Sequence, residues 1–339
     1  MTTSSQSQLT DPVITFVEAT NQALDEALAA DPEVFLLGED IADPQGGGVF
    51  KCTAGLSTKY GEHRVRTTPI SEQAIMGAAV GAAVAGMRPV AEIMLMNFLS
   101  VAMDQLANHA AKLRFMSGGQ TNVPLTVRTA TGSGAQFGAQ HSEMLEAWLA
   151  HTAGLKVAVP STPADAKGLL LSAIFDDDPC VVVEHTLLYF GGAAGPVPSG
   201  DHRVPFGQAK VLRPGRDVSI IGYGKPILDA LGVAERLADE GIDAEVVDLR
   251  SVSPLDEETI LASVARTKRA VVVHEAVKRH GIGAEIAARI GEELHGDMQA
   301  PVQRVGARYA PVPFAKSLED AYAPGVADIE AAVGRALGG

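Results

Sequence analysis

The feature that most limits the fold is an alternation. From Val13 to about Tyr189, helix-period segments take turns with short, nearly continuous apolar runs. A helix-like stretch around Phe16 to Ala30 leads to VFLLGED, and the helix opened by Glu72 leads to PVAEIML. A longer helical run through Val101 to Phe115 precedes PLTVRT, a helix expected from His141 to His151 precedes LKVAVP, and one from Ala164 to Ile174 precedes CVVVEH. Apolar runs of this kind suit strands covered on both faces, and the intervening helices supply the covers. The reading is α/β, with a largely parallel sheet in a three-layer domain.

The alternation stops at YFGGAAGPVPSGDHRVPF, Tyr189 to Phe206, which is rich in Gly and Pro and shows neither period. It resumes with DVSIIGY, a helix from Pro226 to Asp239, AEVVDLR, a short helix after Pro254, AVVVHE, a helix from Gly283 to Leu294, and PVQRVG. We expect two three-layer α/β domains, at 12–190 and 207–339, joined by a linker over 191–206. The 339 residues, 46% of them hydrophobic, suffice for two cores.

Charge excludes one class of partner. With 27 basic and 41 acidic residues the formal charge is −14, and no Lys/Arg stripe stands out, so a polyanion is repelled and nucleic acid is not expected. Cys52 and Cys180 are too few for a disulfide framework or a Cys-based metal site and suit a reducing compartment. The first Lys or Arg is Lys51, so MTTSSQSQLTDP reads as neither a secretory signal nor an Arg-rich transit peptide, and a cytoplasmic setting is expected. The uncharged run Ala74 to Met87 is shorter than the roughly 20 residues a membrane span needs, so no membrane partner is expected.

Neither G-x-x-x-x-G-K-[ST] nor G-x-G-x-x-G occurs, and there is no G-x-S-x-G elbow or H-E-x-x-H helix. A chain of this class without a phosphate cradle is a binding protein, or half of an enzyme whose cradle is on another chain. Gly77, Gly81 and Ala85, spaced by four, give one helix face on which a second backbone can approach closely, within the domain or at a subunit interface. Two readings of Glu72 stay open. Ser71 caps the helix and Glu72 answers its dipole, or the carboxylate sits in a low dielectric where it exchanges a proton with a ligand nitrogen.

Six segments carry a resemblance over nearly the whole chain: VFLLGED, RTTPISEQAIMGAAVGAAVAGMRPVAEI, NFLSVAMDQLANHAAKLRFMSGG, AQHSEM, AGLKVAVPSTPADAKGLL and VVDLRSVSPLD. In this order they resemble the beta subunits of the thiamine-diphosphate-dependent, decarboxylating component of 2-oxo acid dehydrogenase complexes, a transketolase-like family. The resemblance implies an N-terminal pyrimidine-binding domain and a transketolase-like C-terminal domain. It also implies an alpha subunit, in an alpha2-beta2 heterotetramer, that holds the cofactor's diphosphate and Mg2+ through Gly-Asp-Gly…Asn. No Gly-Asp-Gly occurs here.

The resemblance places Glu72 on the glutamate that hydrogen-bonds the cofactor's pyrimidine N1′, activating the cofactor without touching substrate. Phe98 falls on the aromatic residue against the aminopyrimidine, with Met94 beside it; ordinary core is the other reading of both. His141 falls on a histidine that orients substrate and assists acyl transfer to a lipoyl group; without the family it reads as a solvated helix start before a Ser142 cap. Some members bind K+ through backbone carbonyls. The matching positions are Leu125, Ala173, Ile174, Asp176 and Asp178, the last often Asn in the family, and a solvated acidic loop in FDDDP is the alternative.

The implied activity is oxidative decarboxylation of a 2-oxo acid with acyl delivery to a lipoylated acyltransferase. Pyruvate, branched-chain 2-oxo acids and acetoin stay open, with the pyruvate type placed first; APVPFAKSLEDAYAP resembles acetoin-dehydrogenase chains somewhat more. Two competing readings are a non-catalytic docking subunit and a single-chain ketolase. Lys278, Arg279 and His280, in a loop before a helix, are either a docking surface for the acyltransferase or solvated.

Overall fold

The computed structural model describes residues 11–338; the expectations read from residues 1–10 lie outside the described residues. In the first half the strands are β1 (Val13–Thr15), β2 (Val34–Glu39), β3 (Val65–Thr68), β4 (Arg88–Leu95), β5 (Thr126–Thr131), β6 (Lys156–Ala158), β7 (Cys180–His185) and β8 (Ala194–Pro196). The helices among them are α1 (Phe16–Ala30), α2 (Leu56–Tyr60), α3 (Glu72–Val84), α4 (Leu99–Met103), α5 (Ala111–Met116), α6 (Glu146–Ala150) and α7 (Pro163–Ile174). The second half holds β9 (Lys210–Arg213), β10 (Val218–Gly222), β11 (Ala244–Asp248), β12 (Ser251–Ser253), β13 (Ala270–Val277) and β14 (Gln303–Ala307). Its helices are α8 (Lys225–Asp239), α9 (Glu257–Thr267), α10 (Ile282–Leu294), α11 (Lys316–Tyr322) and α12 (Val326–Leu337).

The first sheet runs β12-β6-β7-β5-β4-β2-β3, and every neighbouring pair is parallel except β12 with β6. The second runs β14-β13-β10-β11-β9, parallel except for β9 at its edge. All six residues of β5 and of β7 are buried, as strands covered on both faces require, polar Arg128 and Glu184 included. Helix α1 starts on a reciprocal cap: Thr15 Oγ1 accepts from Glu18 N at 3.2 Å, and Thr15 N donates to Glu18 Oε2 at 2.8 Å. Its buried Phe16, Ala19, Ala23, Leu24, Ala27 and Leu28 form one face at helical spacing.

The two halves are knitted together. Strand β12 comes from the second half yet extends the first sheet, and β8, inside the Gly/Pro-rich stretch, pairs antiparallel with β1. One buried apolar cluster contains Leu106, Val127 and Val183 from the first half and Ile221, Val247 and Ile286 from the second. No helix of the described residues is long and apolar enough to cross a membrane.

Two expectations fail locally. The helix expected from His141 begins only at Glu146, because the preceding backbone is held elsewhere. Glu143 N donates to Asn97 Oδ1 at 3.2 Å and Glu143 O accepts from Thr131 Oγ1 at 2.6 Å. Neither serine caps: Ser71 makes no side-chain cap bond, and the buried Ser142 hydroxyl has no protein partner among the described residues.

Candidate active site

Parallel strands end together, and ligands of open α/β sheets gather beyond their carboxyl ends. Strand β3 leads to Glu72 in the first turn of α3, β4 leads to Asn97 and Phe98, and β5 leads through Gly132 to His141. At the end of β2, Glu39 lies within electrostatic reach of Glu72. Burial, reinforced by the Asp40 and Glu72 charges, pushes the Glu39 carboxyl above the usual carboxylate range. Sequence reasoning missed Glu39, since nothing in VFLLGED shows which carboxylate it faces.

Phe98 and His141 come together. Their ring centroids are 5.4 Å apart with planes at 80°, an edge-to-face pair. Asn97 fixes the chain on both sides of the histidine: its Nδ2 donates to Ala139 O at 3.3 Å and to Glu143 Oε2 at 2.8 Å. Met94 is not grouped with them. It lines a small pocket with Phe50, Cys52, Glu92, Arg128 and Tyr189, while Phe98 packs against the core that holds Met96 and Leu99.

Behind Met94 lies a buried ionic network. Arg128, on β5, reaches Glu92 on β4 at 2.6 Å and Glu184 on β7 at 2.8 Å, and Tyr189 Oη donates to Glu184 at 2.6 Å. Burial pushes the Glu92 carboxyl up despite the Arg128 charge beside it. The Cys52 thiol is likewise pushed up by burial, to about 12, and Cys180 well above its ordinary value, so both thiols are inert at neutral pH.

Glu72 is half-buried rather than enclosed. Helix α3 buries Ile75, Met76, Ala79, Val80 and Ala83, whereas Ala74, Ala78, Gly81, Val84 and Ala85 face outward. A Cβ placed on Gly81 would meet nothing within 4 Å. Of the expected small-residue face, Gly77 is partly covered beside Gln105 while Gly81 and Ala85 are exposed, so within this chain it forms the packed wall expected around Glu72 only in part.

Of the five carbonyls expected to hold K+, Ala173 and Ile174 end α7, Asp176 and Asp178 follow it and Leu125 precedes β5, and protein donors already serve them. Arg88 Nη1 donates to Ile174 O at 3.3 Å and to Asp176 O at 2.9 Å, and Cys180 N donates to Leu125 O at 2.9 Å. Ala173 O accepts from Asp176 N at 3.2 Å, and Cys180 Sγ lies 3.4 Å from Asp178 O. Each carbonyl keeps a second lone pair, so a cation there would share its oxygens with the Arg88 guanidinium.

Elsewhere, a cleft of about 1050 Å3 between α6 and the start of α10 is lined by Trp148, His151, Arg279 and His280, and contains none of Glu72, Phe98 and His141. Lys278, Arg279 and His280 are exposed, with the Arg279 guanidinium over the Tyr309 ring at 5.1 Å.

Comparison with known proteins decides the family. Residues 13–190 match the transketolase pyrimidine-binding domain and residues 207–329 the transketolase C-terminal domain. The chain is 46% identical to the beta subunit of acetoin:2,6-dichlorophenolindophenol oxidoreductase from Cupriavidus necator, spanning 95% of this chain and 96% of that protein. It is also 46% identical to the mitochondrial pyruvate dehydrogenase E1 component subunit beta of Drosophila melanogaster, spanning 99% and 92%. The chain belongs to the 2-oxo acid dehydrogenase beta-subunit family. A solved structure described as a split-gene transketolase, inactive beta4 tetramer, superposes on this beta subunit with a TM-score of 0.77 at 26% identity, covering 96% of this chain and 98% of that one.

The family depends on thiamine diphosphate, and one end of that cofactor fits the beta subunit. Phe98 offers an aromatic side and Glu72 a carboxylate beyond the same carboxyl end of the sheet, which suits a hydrogen-bonding pyrimidine. The diphosphate end finds no counterpart in the sequence, which has no Gly-Asp-Gly, and no group of three or more His, Cys, Asp or Glu among the described residues is placed to hold a metal.

Proposed function

We propose that this beta subunit supplies the pyrimidine half of an active site shared with an alpha subunit, and that the assembly oxidatively decarboxylates a 2-oxo acid of the pyruvate type. The observation that carries the reading is the contact of Phe98 with His141 beyond the ends of β4 and β5, with Glu72 following β3 at the same carboxyl end of the sheet, on a chain whose sequence lacks the phosphate-cradle motifs. When bound, thiamine diphosphate supplies the carbanion-stabilising chemistry. In this reading the chain's residues bind and orient. Glu72 holds or gives a proton at the pyrimidine N1′, Phe98 packs against the ring face, and Met94 backs the ring from the neighbouring pocket. His141, steadied edge-on by Phe98, donates a hydrogen bond to the substrate side and assists acyl transfer to a lipoyl group.

The wider assembly is proposed on the same footing: an alpha2-beta2 heterotetramer whose alpha subunit holds Mg2+, serving a lipoylated acyltransferase. The outward small-residue face of α3 supports a close subunit contact there. A K+ sharing the Ile174 and Asp176 carbonyls with Arg88 is part of the proposal, tested by the thermal midpoint in KCl against NaCl. The two buried, unpaired cysteines fit the cytoplasmic setting we propose. Acetoin stands as the second substrate, favoured by the 46% identity to the Cupriavidus necator acetoin oxidoreductase chain.

The test is reconstitution. With thiamine diphosphate, Mg2+, pyruvate and 2,6-dichlorophenolindophenol, the chain alone should be inactive, and adding an alpha chain that carries Gly-Asp-Gly…Asn should restore turnover. Turnover by the chain alone would contradict the shared site.

A further inference from the structure

The loop that carries His141 is built in an improbable way. From Gly132 to His141 it has no regular ladder, and Gly132, Gly134, Gln136 and Gly138 all have φ between 58° and 112°. Such a backbone lies in the left-handed region, unfavourable for Gln136, and persists only where its surroundings over-determine it. Its buried N–H groups also need acceptors, since an unpaired buried donor is costly.

Those acceptors come from the other half of the molecule. Glu275, near the end of β13, accepts from Ser133 N at 2.6 Å and from Ser133 Oγ at 3.0 Å. Its other oxygen meets His185 Nε2 at 2.6 Å. Glu319, on α11, accepts from Gly134 N at 2.7 Å through Oε1 and from Gln136 N at 3.1 Å through Oε2. Both carboxylates are buried, Glu319 being only 1% exposed. A Cβ added to Gly138 would stand 3.6 Å from Phe314, just before α11, so that ring lies over the glycine. Hydrogen bonds from backbone N–H groups to a buried carboxylate are among the stronger kind, so this is a clamp rather than incidental contact.

We propose that Glu275 and Glu319 are positioning residues: from the C-terminal domain they set the Gly132–His141 loop and thereby hold the His141 ring against Phe98. The proposal rests on the reading of His141 as an active-site group. It gives the second domain a direct part in the chemistry of the first, a part that a mere core or docking domain does not have. The neighbouring Thr131, Asn97 and Glu143 bonds fix the far end of the loop, so the two carboxylates govern the near end.

Two measurements test it, both on Glu319→Ala and on the conservative Glu319→Gln, which keeps an oxygen able to accept from the loop. First, the proton NMR resonance on His141 Cε1 in the full-length chain, assigned with His141→Gln, senses the Phe98 ring current. It should move and broaden in Glu319→Ala and stay nearly in place in Glu319→Gln. Second, acyl transfer from pyruvate to free lipoamide is followed in the assembly with the alpha subunit, as a double-mutant cycle with His141→Ala. Glu319→Ala should lower kcat on the order of 10-fold to 10²-fold with little change in KM, as misplacement of an active-site group does. Added to His141→Ala it should cause no further loss.

If both single variants lower kcat and their effects multiply in the double variant, Glu319 does not act through His141 and the proposal is overturned. An unmoved His141 resonance in Glu319→Ala overturns it as well. If His141→Ala itself keeps full acyl transfer, the reading of His141 fails while the NMR result still judges the clamp. Should Glu319→Ala not fold, Glu275→Ala takes its place in both measurements, with Glu275→Gln as its conservative counterpart and the same expected and contrary results.

Discussion

The Phe98 and His141 rings meet edge-to-face, 5.4 Å between centroids and 80° between planes. Such a pair contributes about 0.5–1.5 kcal/mol beyond its area, which is a few-fold to about tenfold in an equilibrium. A pyrimidine ring packed on the other side of Phe98 would gain a similar amount, so Phe98→Ala should weaken thiamine diphosphate binding to the reconstituted assembly by roughly threefold to tenfold in calorimetric titration. His141→Ala should leave that affinity unchanged and reduce acyl transfer. Equal affinities for Phe98→Ala and the parent would remove Phe98 from the cofactor site.

The outward face of α3 predicts a separation between folding and assembly. Because a Cβ on Gly81 meets nothing within 4 Å, Gly81→Leu should leave the isolated chain folded, with an unchanged or slightly higher melting temperature. The bulk should block association with partner chains, visible by size-exclusion chromatography. Normal assembly of Gly81→Leu would show that this face is simply solvated.

The Arg128 network predicts a large stability effect at a distance from solvent. Arg128→Met strands the Glu92 and Glu184 carboxylates in a buried setting and should cost about 3–5 kcal/mol in urea unfolding. Adding Glu92→Gln and Glu184→Gln should restore much of the loss. A loss below about 1 kcal/mol for Arg128→Met would mean that water reaches the network.

Asp248, at the joint between the domains, predicts a pH dependence. Burial raises its carboxyl from 3.8 to about 7, against bonds from the Ser161 hydroxyl and Arg250 N that favour the ionised form. The folded state thus keeps a proton that the unfolded chain releases. Its contribution is fully present below about pH 4 and is lost as the pH rises to about 7. Asp248→Asn should therefore gain melting temperature relative to the parent between about pH 5 and about pH 8, a gap that stops widening above about pH 7. A constant gap across that range would contradict the buried, protonated Asp248.

How much of this was legible in the sequence depended on the range of the interactions. The strands β2, β4, β5, β7, β10, β11 and β13 were readable because parallel strands buried on both faces are rich in apolar and β-branched residues, although β4, β5 and β7 also carry Glu92, Arg128 and Glu184. The three-residue β1, β8 and β12 were not, since pairing partners far along the chain create them. Helix α6 starts late because Asn97 and Thr131 claim the backbone ahead of it, which local propensity cannot show. Glu72, Phe98 and His141 were found through their resemblance to a family. Glu39, Glu275 and Glu319 were missed because their roles exist only once distant elements are packed together. The expectation of a dry Glu72 holds only in part within this chain: Glu72 is half-buried, and α3 turns Ala78, Gly81 and Ala85 outward while burying Ala79 and Ala83.

The central claim is that Glu72 activates a pyrimidine ring in a site shared between two chains. Its most direct test is the exchange rate of the thiazolium C2 proton of thiamine diphosphate with deuterium, measured in the assembled alpha and beta subunits with Glu72 and with Glu72→Gln. The account predicts a fall on the order of 10²-fold to 10⁴-fold in Glu72→Gln, the range of general acid–base assistance. An exchange rate unchanged by Glu72→Gln, with the cofactor still bound, would contradict it.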